Sequence, residues 1–133
     1  MITPSGSTYD MVMKDTGLGY ALSIIGGKYK MVILFTLHTF KVLRFNELKN
    51  LISNISFKTL STTLKQMETD NLVIRKDYSQ IPPKVEYYLS EKGTSLIPVL
   101  QELCHWGESH SDGKVKIKEY EIINAMASEK ATT

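Results

Sequence analysis

The segment Arg75–Gly93, RKDYSQIPPKVEYYLSEKG, decides how the rest of the chain is read. Two short runs of alternating apolar and polar residues, Val73 to Tyr78 and Val85 to Leu89, flank the loop SQIPP. A period of two is the signature of half-buried strands, and so short a connection makes them a hairpin. Pro82 and Pro83 cannot donate to a sheet ladder and belong to the connection. Lys76 and Lys84 bracket the loop, where a core has no use for charge. Ser90 is a good N-cap, and Glu91 suits the first turn of a helix that begins there.

Upstream of the hairpin the period changes to that of helices. Ser56 is placed to cap a helix over about 56–69, in which Phe57, Leu60, Leu64 and Met67 share one apolar face. The turn SNIS joins it to FNELKNLI, where Phe45, Leu48, Leu51 and Ile52 mark another helix, preceded by a short extended KVLRF. Lys28 to Phe40 is too densely apolar for a surface element and reads as a central, mostly buried helix. Leu18, Ala21, Leu22 and Ile25 give one helical face, ended by Gly26-Gly27. Residues 1–15 lack periodicity and are expected to be a loose arm.

Downstream, Leu96, Ile97, Leu100, Leu103 and Cys104 or Trp106 form an apolar stripe, with Pro98 predicting a kink or a late start. HSDGK breaks that helix, and Val115, Tyr120, Ile123 and Met126 predict a final short one within Lys114 to Glu129. The order is α+β and mostly helical. Three helices followed by a hairpin is the plan of a winged helix-turn-helix. The domain division is an arm (1–15), the winged unit with its flanking helices (16–111), and a C-terminal helix and tail (112–133).

Composition narrows the function. A chain of 133 residues with 42% hydrophobic content fits one soluble globular domain. The apolar run Met31 to Leu37 is far short of the roughly 20 residues of a membrane span, and MITPSGSTYDMVMKD lacks the basic start and apolar centre expected of a secretory signal. Cys104 is the sole cysteine, so no internal disulfide is expected and the cytoplasm is the expected location. The net charge of +2 hides an asymmetry. Lys28 to Lys84 holds ten Lys/Arg against four Asp/Glu, whereas the remainder holds six against ten. A basic middle between acidic flanks points to a polyanion partner.

The 56–69 helix carries that charge in a useful form. With Phe57 at zero and about 100° per residue, Leu60, Leu64 and Met67 fall near 300°, 340° and 280°, while Lys58, Thr62, Lys65 and Gln66 fall near 100°, 140°, 80° and 180°. Thr59 lies at the edge of the polar sector, which has no acid before Glu68. Lys, Thr and Gln suit a duplex groove: hydroxyl and amide groups pair with base edges, and ammonium groups meet guanine acceptors or phosphate. Lys58, Thr59 and Thr62 are expected at bases, Ser56 and Lys65 at phosphates, with Gln66 on the same face. Arg44, ahead of the FNELKNLI helix, and Arg75, Lys76 and Lys84 on the hairpin are expected to contact the DNA as well. A solvated amphipathic helix beside a solubilising hairpin is the plain alternative for these residues.

At this point the chain resembles a known group. ALSIIGGKYKMVILFTL, RFNELKNLISNISFKTLSTTLKQMETDNLVIR and PPKVEYYLSEKGTSLIPVLQELCHWG are similar to the HxlR-type branch of the MarR-like bacterial transcriptional regulators, over roughly residues 18 to 107. The resemblance implies a homodimeric winged-helix DNA-binding regulator whose terminal helices form the dimer interface. Leu18, Leu22 and Ile25, and Leu96, Leu100, Leu103 and Trp106, are the residues expected there. A two-fold dimer implies a pseudo-palindromic operator on double-stranded DNA. Two positions depart from the family pattern. Tyr29 stands where Trp is usual, and no cysteine precedes the first helix, where many members carry a thiol sensor.

Other motifs carry less. Cys104 lies on the apolar stripe and reads as packing. His105, His110, Glu108 and Asp112 lack metal-ligand spacing, and His38 reads as a core-edge residue. GLGYAL imitates a dinucleotide fingerprint, but Leu22 occupies the third glycine position and no strand precedes it. No catalytic constellation is found, so neither an enzyme nor a cofactor is expected. A small-molecule effector, if used, is expected near Tyr20, Phe35, Trp106 and Met126. The competing function is a winged-helix protein-interaction adaptor that does not bind DNA.

Overall fold

The computed structural model describes residues 6–131. In chain order the elements are α1 (Thr8–Asp15), α2 (Gly17–Ile25), α3 (Lys30–Phe40), α4 (Phe45–Ile52), α5 (Phe57–Thr69), β1 (Val73–Asp77), β2 (Val85–Leu89), α6 (Glu91–His110) and α7 (Glu119–Ala131). This is the mostly helical α+β winged helix-turn-helix read from the sequence: α4 and α5 form the helix-turn-helix and β1–β2 the wing. The parts of the expected arm and tail at residues 1–5 and 132–133 lie outside the described residues.

The core forms around α3. Ile33, Leu34 and Leu37 are fully buried there, against Leu48 of α4, Leu60, Leu64 and Met67 of α5, and Ile97 and Leu100 of α6. Both α3 and α4 end in tight three-residue turns centred on Lys41 (φ 71°) and Ser53 (φ 68°), each closed by an amide-to-carbonyl bond of 2.8 Å spanning it. These are γ-turns, an uncommon conformation for residues with side chains, and they re-aim the chain into KVLRF and into the turn of the helix-turn-helix. Of KVLRF, Leu43 pairs with Tyr87 through two backbone bonds of 3.0 and 2.8 Å, which ties the start of α4 to the wing.

The wing is antiparallel, with Val73 opposite Leu89, Arg75 opposite Tyr87 and Asp77 opposite Val85. Ser90 caps α6 as expected, accepting from the Gly93 amide at 3.0 Å and donating to the Asn71 carbonyl. Gly93 is required by close approach: a Cβ there would lie 2.2 Å from the Leu72 carbonyl oxygen.

Several expectations are corrected. Residues 8–15 form a helix, capped by Ser7, with Asp10 in its first turn and Lys14 in its last. It buries no residue and rests on α2, where the missing side chain of Gly19 admits the Val12 carbonyl, so apolar periodicity gave no sign of it. α6 starts at Glu91, so the late start offered as one alternative does not occur, and Pro98 lies inside the helix. α7 begins at Glu119, leaving Val115 ahead of it. Phe57 is 61% exposed and stands outside the core. Leu100 is buried in its own subunit, 1% exposed, and does not belong to the expected dimer surface. α6 carries two stripes where the sequence reading merged them into one: Ile97 and Leu100 face inward, whereas Val99, Leu103 and Trp106 face solvent.

Candidate nucleic-acid interface

The outer side of α5 is built from its cap upward. The Ser56 hydroxyl oxygen accepts the Thr59 amide at 3.0 Å, and its proton goes to the Thr59 hydroxyl oxygen at 2.9 Å. The Thr59 hydroxyl therefore keeps its own proton free to donate outward, toward an acceptor such as a purine N7 or a phosphate oxygen. Lys58, Thr59, Thr62, Lys65 and Gln66 are all exposed, and the helix that carries them is seated by the buried Leu60, Leu64 and Met67.

Thr62, Lys65 and Gln66 line one shallow depression together with Thr69, Asp70 and Lys30. Lys30 was not anticipated. It comes from the first turn of α3, which is tied to the helix-turn-helix by the Tyr29 hydroxyl donating to the Asn54 carbonyl at 3.0 Å. The signal was present in the GGKYK run, whose aromatic was read as packing alone. Arg44 is exposed at the start of α4, beside the Leu43–Tyr87 bridge; its amide donates to Glu47 Oε1 at 2.8 Å.

The wing divides its cations. In the observed register Arg75 shares a face with Tyr87 and meets Asp77 at 3.9 Å, a partly neutralised and solvent-screened pair. Lys76 lies on the opposite face with Glu86. There the ammonium groups of Lys76 and Lys84 stand 4.8 and 4.4 Å from the centre of the Tyr78 ring. The Tyr78 hydroxyl donates to Glu86, and that hydrogen bond, followed by desolvation, raises the phenol pKa. Tyr78 thus gathers two lysines beside the loop, and Arg75 is not part of the group. Tyr87 is buried and Tyr88 half-buried, on opposite faces as alternation required. Among the described residues no hydrogen bond or ion pair links the α5 cations to those of the wing.

Elsewhere, Leu18, Leu22, Leu103 and Trp106 are exposed, while Ile25 and Leu96 are half-buried against the core. Of the four residues expected near an effector, Phe35 lines a cavity of about 560 Å³ between α3, α6 and α7, together with Cys104, Tyr120 and Ile123, and the half-buried Met126 is not among its lining residues. Tyr20 instead lies under Lys92, and Trp106 stacks on His110 at 4.6 Å. Burial, then the carboxylate of Glu119, push the Cys104 thiol above its ordinary pKa, and burial followed by Lys41 lowers that of His38. Among the described residues no cluster of three potential metal ligands occurs, and no single helix is long and apolar enough to cross a membrane.

Comparison with known proteins agrees with this architecture. The HxlR-like helix-turn-helix family matches residues 24–115. An uncharacterized HTH-type transcriptional regulator of Halalkalibacterium halodurans is 55% identical over 95 residues, covering 71% of this chain and 84% of its own. Among solved structures, a transcriptional regulator assigned to the MarR family from Enterococcus faecalis V583 is similar with a TM-score of 0.67 at 37% identity, covering 76% of this chain and 91% of its own. The redox regulator HypR in its reduced form is similar with a TM-score of 0.66 at 37% identity, covering 73% and 95%. The chain belongs to the HxlR-like helix-turn-helix family of DNA-binding transcriptional regulators.

Proposed function

We propose that this protein is a homodimeric regulator that binds one class of duplex sequence, with α5 in the major groove and the β1–β2 wing on the adjacent backbone or minor groove. The observation that carries this reading is the outer side of α5. Lys58, Thr59, Thr62, Lys65 and Gln66 stand exposed on a helix seated by the buried Leu60, Leu64 and Met67. Residues near the N-terminus of such a helix enter the groove, so Lys58 and Thr59 read bases, with Thr62 following one turn on. Lys65, Lys76 and Lys84 neutralise phosphate.

What the single chain leaves uncovered supports the dimer. Leu18 and Leu22 of α2 and Leu103 and Trp106 of α6 are between 43 and 65% exposed. Covering them with a second copy places two α5 helices on successive faces of a pseudo-palindromic operator, with half-sites about 34–36 Å apart. A regulator of this kind works in the cytoplasm, on chromosomal DNA. HypR is a redox regulator. In this chain burial and the Glu119 carboxylate raise the pKa of the sole thiol, which makes it a poorer nucleophile, so the cavity lined by Phe35 is the better place for a signal to enter, as a small-molecule effector.

A gel-shift titration with random-sequence duplex at low salt tests the reading. Retardation that weakens steeply as salt rises supports it. No retardation at any protein concentration would favour a protein-interaction adaptor on the same scaffold.

A further inference from the structure

Phe57 is the first residue of α5, and its ring stands in water instead of joining Leu60, Leu64 and Met67 in the core. It is nevertheless held. Phe45 of α4 stacks against it with ring centres 5.8 Å apart and planes inclined by 17°. The Lys49 ammonium, also from α4, lies 5.1 Å from its centre. Stacking and a cation over the ring fix an aromatic side chain without hiding it. Around the α5 axis Ser61 and Lys58 lie about 40° and 100° from Phe57, and Lys65 follows two turns further along at about 80°. A rigid apolar group therefore flanks the polar face at the end of the helix that leads into the groove.

The chemistry of the groove limits what such a group can meet. Base edges in the major groove are donors and acceptors, with one apolar exception, the C5 methyl of thymine. Lys49, beside the ring, holds a positive charge available to a phosphate. We infer that Phe57 is a specificity-determining residue that packs against a thymine methyl in each half-site, braced by Phe45 and Lys49. The inference rests on the reading of α5 as the groove helix.

Replacing thymine by deoxyuridine removes the methyl and leaves every pairing group in place. Duplexes enriched by the protein from a random-sequence library would be remade with each thymine replaced in turn. Wild-type protein should bind about fourfold more weakly when one particular thymine of a half-site is replaced, the change expected for re-exposing one methyl-sized group. Phe57→Ala should bind the thymine and uracil forms alike, and Phe57→Leu should keep part of the difference. Thermal unfolding would verify that both variants fold. Wild-type indifference to uracil at every position, or a Phe57→Ala protein that still discriminates, would overturn the inference while leaving the regulator reading intact. Failure to enrich any duplex would remove the regulator reading and this inference with it.

Discussion

Helices α2 and α3 are neighbours in sequence and both strongly apolar, yet they bury very different shares of themselves. α2, GLGYALSII, has no charged residue, whereas α3, KMVILFTLHTF, begins with a lysine and contains a histidine. Composition alone would put α2 deeper. Instead α3 buries Ile33, Leu34, Thr36 and Leu37, and α2 buries only Gly19 and Ile24, with Leu18, Tyr20 and Leu22 at 63, 55 and 43% exposed. Apolar composition says that a surface will be covered but not by what. The chain itself covers α3. The outer sides of α2 and α6 stay uncovered in the single chain, and they are the surface the proposed dimer would bury.

The largest effect that separates the two helices is on stability. Leu34→Ala removes a side chain with no exposed surface and should lower the unfolding free energy by about 2–5 kcal/mol in urea titrations. A loss below about 1 kcal/mol would mean that α3 is not the centre of the core. Next in size is the state of assembly. Leu18→Glu combined with Trp106→Glu adds a charge to the exposed apolar side of each of α2 and α6, and sedimentation should show a monomer for the variant and the proposed dimer for the parent. A double variant that remains dimeric would place the interface elsewhere and break the comparison.

A smaller effect sharpens it from the other side of α6. Cys104 lies just beyond the inward stripe, and burial and Glu119 raise its pKa, so less of it is thiolate at neutral pH than in an unfolded chain. Alkylation by iodoacetamide at pH 7.5 should be slower in the folded protein than in urea, and the folded rate should keep climbing as pH passes the ordinary thiol range near 8.5. A folded thiol that reacts as fast as the unfolded one would contradict the assigned environment.

How far the sequence could be read depended on what each residue answers to. The helix-turn-helix and wing were legible because their signals are local: Ser56 and Ser90 cap as expected, and alternation gave both strands. α1 was missed because it buries nothing and rests on α2 through Gly19, a contact without a periodic trace. Phe57 was misplaced because a helical projection assigns it to the apolar side, while at the first turn the stack on Phe45 holds it at the surface. Leu100 was assigned to an interface because the inward and outward stripes of α6 are only one residue apart in spacing. The α5 candidates were all found at the surface, but Lys30 reaches them from a distant segment. The split of Arg75 from Lys76 and Lys84 depends on a register that spacing alone did not give.

The central claim is that the cations of α5 and of the wing meet one duplex together. Its most direct measurement is the slope of log affinity against log salt concentration for wild type, Lys58→Ala, Lys65→Ala and Lys84→Ala on the same duplex. Each variant that loses a phosphate contact should shallow the slope by about 0.9, and Lys84→Ala should weaken all sequences alike. Wild-type slopes in the Lys65→Ala and Lys84→Ala proteins, with affinity unchanged, would contradict the account.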